Sequence, residues 1–431
     1  MMSEILDFYQ QQAKAGLSSL PWLARLQTKA LMDLNRHGFP TRHDEDWKYT
    51  RVEALLNQPF MLSHAVDNLK ESAATAYKDK VNSDLPITQR ILIRNGVIEG
   101  VEQLAKTVPK GVLVLPLSIA LTQYPEVLKP YLGSVLKQEH GFHYLNTAMI
   151  HCGVLIYIPS GVVLEEPIAL THMQTQTNQA VYLRHLIVAE ENSQAAIIED
   201  YQGLADCCYL TNTVTEIVVG PGAKLTHYKL QRESKSAFHI GHLSVKQLEG
   251  SEFANHSLSL GGQWVRSDIS LYMQEEKAHS LMNGIYAPAE GQHVDHHTTV
   301  QHLVPSCSSE QDYKGILTGH SRAVFNGKVF VAKNAQHTDA KQQNKNLLLS
   351  ANAEVDTKPQ LEIFADDVLC SHGATVGQLD EEALFYLATR GIGRLEASHY
   401  LIHAFASDNL RLIPHRQLAD YMGHLLTQQL G

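Results

Sequence analysis

GAKLTH, residues 222 to 227, sets a glycine, a small residue and a lysine ahead of a run that alternates apolar and polar side chains, and the phrase has cognates elsewhere. They are NSQAAI from 192, GSEFAN from 250, KAHSLM from 277, HSRAVF from 320 and NAEVDT from 352. Each opens on a turn residue, passes through a small and then a polar residue, and enters a strand-like stretch. With the small residue as register (Ser193, Ala223, Ser251, Ala278, Ser321, Ala353), the intervals are 30, 28, 27, 43 and 32 residues. A period of this size made of strands indicates a solenoid, in which each coil buries its inner face on its neighbours. A large β-sandwich also gives closely spaced short strands, but it has no reason to repeat one turn pattern. The chain is therefore expected to be mainly β, a parallel β-helix flanked by helical regions.

The flanks differ in period. Residues 1–88 read as an N-terminal helical region: Pro21 suits the first turn of a helix with an apolar face of Trp22, Leu23, Leu26, Ala30 and Leu34. HGFPTRHDEDWKYT (37–50) follows as an irregular loop, and 63–88 as a loose helix or linker. The β-helix core is placed at 89–377, with a partly helical stretch over about 117–148. From 378 to 431 helical spacing returns. Asp380 is a candidate N-cap with Glu381 and Glu382 behind it, Leu379 and Leu384 stand at staple positions, and Arg390 with Gly391 closes the helix. A second helix is expected to bury Ala397, Tyr400, Leu401, Ala404 and Phe405, and a third Leu418, Tyr421, Met422 and Leu425. These three helices read as a docking domain.

Composition narrows the chemistry. With 45 acidic against 35 basic side chains the net charge is −10, and no basic stripe offers itself to a phosphate backbone. GVLVLPLSIALT (111–122), the longest apolar run, is too short to span a bilayer, and the start lacks a signal-like pattern, so a cytoplasmic, soluble protein is expected. Neither a phosphate-cradling GxxxxGK[ST] nor a GxSxG elbow occurs, which argues against an NTPase or an esterase. The five cysteines (152, 207, 208, 307, 370) show no CxxC spacing. A disulfide framework or structural zinc site is therefore not expected, and all but Cys370 read as buried structural thiols. HVDHHTTVQH (293–302) is dense in histidine. On a strand, however, His296 and His302 share a face at about 20 Å, too far for one ion, so these residues read as lining a solvated face.

Cys370 and His372 lie in DDVLCSHGATVG (366–377). On an extended chain i and i+2 share a face, and a thiolate beside a neutral imidazole is a two-ligand edge for a soft metal such as iron, one that a second chain must complete. From spacing alone the commoner reading is a thiol packed at the last coil with a histidine at a turn. A thiol so placed, with an imidazole nearby, is expected to ionise below its ordinary value.

EVDTKPQLEIFADDVLCSHGATVGQLDEEALFYLATRGI (354–392) resembles the signature of the SufB/SufD family of iron-sulfur cluster assembly scaffolds. DEDWKYT (44–50) differs at one position from an N-terminal element of that family, and RAVFNGKVFVAKNAQHTDAKQQNKNLLLS (322–350) resembles its penultimate coils. The resemblance implies a right-handed parallel β-helix and a non-catalytic scaffold. It also implies a complex with SufB and the ATPase SufC, the latter docked on the C-terminal helices and bringing the nucleotide, with a homodimer where SufB is absent. Cys370 and His372 would then contribute to a transient iron-sulfur cluster at the interface with SufB. Gly373, where SufB-type chains carry Glu, sets the chain apart from that branch. Two other readings stand beside this one: a structural adaptor with no cluster contact, and a β-helix carbohydrate-active enzyme. The adjacent Asp366 and Asp367 point to opposite strand faces and so do not favour the enzyme.

Overall fold

The computed structural model describes residues 2–63 and 85–430; most of the stretch read as a linker (63–88) lies outside the described residues. Two ten-stranded sheets face one another, and from Val154–Ile158 on successive strands of the chain alternate between them. The first sheet runs Glu354–Ile363, Arg322–Val331, His293–His302, Trp264–Met273, Phe238–Gln247, Leu210–Val219, Gln179–Ala189, Val154–Ile158 and Leu113–Pro116, with Met61–Leu62 added on Gln179–Ala189. The second runs Val368–Gly377, Thr338–Leu348, Ser308–Leu317, His279–Tyr286, Glu252–Ser259, Lys224–Arg232, Gln194–Gly203, Ile168–Gln174, Arg90–Arg94 and Val97–Glu99. Neighbouring coils pair parallel and in register, giving a β-solenoid of about eight turns. Among the described residues antiparallel strands occur only at the N-terminal end, where Leu113–Pro116 pairs with Val154–Ile158 and Val97–Glu99 with Arg90–Arg94.

The turn that opens the six second-sheet strands from Gln194–Gly203 to Thr338–Leu348 explains the sequence repeat. Asn192, Gly222, Gly250, Lys277, Ser306 and His337 all hold a left-handed backbone, with φ between 57° and 63°. Glycine takes that conformation without cost, and the other residue types accept it because the coils on either side hold them there. The small residue that follows turns inward and is buried: Ser193, Ala223, Ser251, Ala278, Cys307. Here the structure corrects the repeat. Ser321 and Ala353 open strands of the first sheet, so the long interval after Ala278 is one coil plus a crossing. Cys307 is the unit that was passed over, because a cysteine stands where alanine or serine was sought.

Inner side chains such as Ile197, Leu225, Phe253, Val265, Leu271, Val294 and Phe325 stack into a continuous core. Each contributes about 1.5–3 kcal/mol on burial. The outer face of the first sheet is also apolar (Tyr182, Phe238, Ile240, Trp264) and is covered by the N-terminal helices Met2–Ala15 and Pro21–His37, with Trp47, Phe60 and Phe142. The outer face of the second sheet (Tyr228, Leu230, Leu258, Ile285, Ile316) is covered by Arg394–Arg411 and Arg416–Leu430 through Ile402, Ala406, Leu418, Met422 and Leu426. Arg394–Arg411 therefore buries Ala397, Ile402, Ala406 and Asn409, whereas the expected Tyr400 and Ala404 are exposed. The stripe is rotated because polar Asn409 belongs to the interface: it donates to the Asn283 side chain at 2.7 Å and to the Asp312 carbonyl at 3.0 Å. Asp380 caps Glu381–Thr389 by accepting the N–H groups of Glu382 and Ala383, as the cap spacing predicts. Among the described residues no helix is long and apolar enough to cross a membrane.

Candidate functional site

At its C-terminal end the solenoid is open. Glu354–Ile363 and Val368–Gly377 are the last strands of their sheets, and each pairs on one side only. Nearly every side chain of Leu210–Val219 or Trp264–Met273 is buried, but Val368–Gly377 is mostly exposed. Phe364, Leu369 and Val376 are respectively 61%, 73% and 49% exposed. A free parallel edge beside exposed apolar side chains can accept another strand, and monomeric proteins normally blunt such an edge.

Both expected ligands stand on this edge. Cys370 lies beside Ala340 and His372 beside Gln342 in the ladder. Ala340 and Gln342 are buried residues of the solenoid interior, so the thiol and the imidazole also face the bore, at its mouth. They are on one face, about 6.6 Å apart along the strand. Cys370 is half-buried against Val329, Val331, Ala335, Ala340 and Ala365, while His372 is exposed. Below His372, the amide oxygen of Gln342 has no hydrogen-bond partner. It is an acceptor able to hold one ring N–H while the other nitrogen serves as a ligand. Asp367, upstream, is engaged with His337 at 3.0 Å.

The thiol does not ionise as expected. Burial pushes the Cys370 value up, Asp339 adds to the rise, and a backbone hydrogen bond from Ala340 opposes it only in part. A thiol raised in this way is mostly protonated at ordinary pH.

The remaining sequence candidates are distributed differently. His296 and His302 do share a face, but it is the buried interior: His296 pairs with the Ser259 hydroxyl at 3.1 Å and His302 with that of Ser309 at 2.9 Å. Their burial corrects the expectation of a solvated face. Cys152 and Cys307 are buried, whereas Cys207 and Cys208 are only partly so, and all five thiols are free. Sequence reasoning missed the polar lining of the earlier coils. There Glu199 takes His227 at 3.2 Å with the hydroxyls of Tyr201 and Thr215, and Glu233 takes His239 at 2.8 Å with Thr211. Burial alone would raise the Glu199 carboxyl, but the hydrogen bond and charge of His227 hold it well below the usual range.

Against this geometry the comparisons are specific. The domain described as "SUF system FeS cluster assembly, SufBD core domain" matches residues 172–405, and the "SufBD protein N-terminal region" matches 1–170. The chain belongs to the SufBD family. It is 33% identical over 384 residues to the iron-sulfur cluster assembly protein SufD of Escherichia coli, spanning 88% of this chain and 86% of that protein. It is 32% identical over 396 residues to an iron-sulfur cluster assembly SufBD family protein of Synechocystis, spanning 90% and 86%. Similarity to SufB of Bacillus subtilis is lower, 24% over 310 residues, or 71% of this chain and 66% of that protein. The chain is therefore a SufD-like member of an iron-sulfur cluster assembly family. The family core includes the open edge with Cys370 and His372 and the helix Glu381–Thr389. The N-terminal match includes DEDWKYT, whose Trp47 stacks on Trp264 and lies under the Arg266 guanidinium at 4.5 Å.

The helices after the edge carry a second exposed apolar surface. Phe385, Tyr386, Leu395 and Tyr400 are 72%, 56%, 74% and 55% exposed. They lie on Glu381–Thr389 and Arg394–Arg411, which are tied by Arg394 to Glu381 at 2.7 Å. A surface of this kind marks a contact site.

Proposed function

We propose that this chain is a non-catalytic scaffold subunit of the SUF machinery that pairs with SufB through its open terminal coil. There it offers Cys370 and His372 to a nascent iron-sulfur cluster, the cargo of the assembly. The observation that carries this reading is the coincidence of three features on one strand: an unpaired edge, exposed apolar side chains, and a same-face thiol and imidazole at the mouth of the bore. Two ligands leave an iron ion coordinatively open, and a second edge strand can bring further ligands while it satisfies the free backbone groups. The exposed patch around Phe385 and Leu395 is assigned to the ATPase SufC, which would supply the nucleotide chemistry.

The test is co-expression with SufB and SufC, reading iron and acid-labile sulfide recovered with the complex. Cys370→Ser and His372→Ala are expected to leave the complex intact and to lower both. Unchanged iron and sulfide in both variants would replace the scaffold reading with that of a structural adaptor. Removing everything after Gly377 is a poor test of docking, although the sequence invites it, because it uncovers Tyr228, Leu258 and Ile285. Phe385→Glu and Leu395→Glu change only exposed side chains; SufC retained by both would move the docking site elsewhere.

A further inference from the structure

The outer face of the first sheet holds a cluster that the cluster-assembly reading does not use. Register places His242 beside Asp268 and Asp268 beside His297 on three consecutive coils. Above this row lies the helix Gly141–Ala148, which begins at His140 and carries His143 one turn on. One ligand atom each from His140, His143 and Asp268 lies within 4.8 Å of the others. His242 joins them, its ring 4.5 Å from that of His143.

Most of the imidazole nitrogens in this cluster have no other partner. Both ring nitrogens of His140, both of His242, and Nε2 of His143 are buried without a hydrogen-bond partner. His143 and His242 are themselves 2% and 5% exposed. Buried polar atoms are normally paired, so a group of orphaned nitrogens facing one another calls for an occupant. Asp268 accepts from the Arg266 Nε at 3.0 and 3.1 Å, but Arg266 also binds Asp295 at 2.6 Å. One guanidinium thus serves two carboxylates, with His297 also on Asp295 at 3.1 Å. A cavity of about 790 Å³, lined also by Trp47, is bordered by His140, His143, His242 and Asp268.

We propose that His140, His143 and Asp268, with His242 beside them, bind one divalent first-row transition-metal ion. Imidazole nitrogens with one carboxylate suit zinc or ferrous iron and not the hard, oxygen-seeking calcium or magnesium. Loading requires the His140 and His143 rings, stacked at 3.6 Å, to splay so that their nitrogens converge. His143 Nδ1 accepts the Glu139 N–H at 3.2 Å, so ligation through Nε2 moves the ring proton to Nδ1 and gives up that one long bond. An ion there would pin the helix Gly141–Ala148 to the solenoid, some 100 residues along the chain from the Cys370 edge by position alone (268 to 370).

The test uses the full chain, stripped with a chelator and titrated with Co²⁺, then with Zn²⁺ as competitor. Visible d–d absorption that saturates at one ion per chain and is displaced by Zn²⁺ is expected. His140→Gln, which removes a ring with no hydrogen bond to lose, and Asp268→Asn should each weaken binding about 10-fold or more. Cys370→Ser should retain the signal in full. An unchanged melting midpoint of His140→Gln without metal shows that its loss of binding is not loss of fold. The proposal is overturned by no saturable binding, by equal binding in His140→Gln, or by a signal that disappears with Cys370→Ser and so belongs to the terminal coil.

Discussion

Glu216 sets the position of the helix that carries His140 and His143. It is fully buried on the outer face of Leu210–Val219 and accepts the N–H groups of Gly133, Val135 and Leu136 at 2.7, 2.9 and 3.0 Å. It also takes Nε and Nη2 of Arg184 at 3.0 and 2.7 Å. Glu216→Ala orphans three backbone donors and leaves the Arg184 guanidinium, 1% exposed, with only Asn146 and Thr147 as partners. Removing one member of a buried pair costs about 3–5 kcal/mol, since the other charge stays in the interior unpaired. With an unfolding entropy of about 2.1 cal/mol/K per residue, a chain of 431 residues has roughly 0.9 kcal/mol/K in all. The midpoint should then fall by ~3–6 °C if the chain unfolds as one unit.

The assay is thermal unfolding by circular dichroism, with hydrogen exchange over 133–148 to detect local release of the helix. A double variant, Arg184→Met with Glu216→Leu, removes both charges, so its loss should be smaller than the sum of the single losses. What remains measures the three orphaned N–H groups. A Glu216→Ala protein with an unchanged midpoint and full protection over 133–148 would refute the reasoning, as would strict additivity in the double variant.

Other expectations follow from the same packing. The values of His140 and His296 near 3, and of His242, His256 and His302 near 4, are depressed by burial from an ordinary 6.5. The unfolded chain takes up protons near 6.5 that the folded chain refuses, so this stability is complete above 6.5 and is lost as pH falls toward 4. Urea midpoints that stay flat from pH 7 to pH 4.5 would contradict it. Asn409→Ala should cost about 1–3 kcal/mol, because it leaves Asn283 short of a partner under Arg394–Arg411, and exchange protection in that helix is the readout. Gly141→Ala would bring a Cβ within 2.3 Å of the Gly38 carbonyl, so the helix must lift; weaker Co²⁺ binding with an intact β signal is expected.

How much of this the sequence discloses depends on how far apart the cooperating residues lie. The solenoid was legible because one turn recurs, and that recurrence reflects a backbone need: a left-handed residue, then a small one turned inward, at Gly222 and Ala223 and again at Gly250 and Ser251. Cys370 and His372 were legible because two residues on a strand fix their own common face, whatever surrounds them. Their environment was not legible. That Cys370 is pushed up and not down depends on Ala340 and Asp339, a coil away. The burial of His296 and His302 was missed because alternation tells which residues share a face but not which face is inside, and here the interior is polar enough to take an imidazole onto Ser259 or Ser309. For the outer cluster, only the His140–His143 spacing could have given warning. His242, Asp268 and His297 are separated by 26 and 29 residues, intervals that correspond to no motif until the coil length is known. Once it is known, they are also the intervals that bring the three side chains into one row.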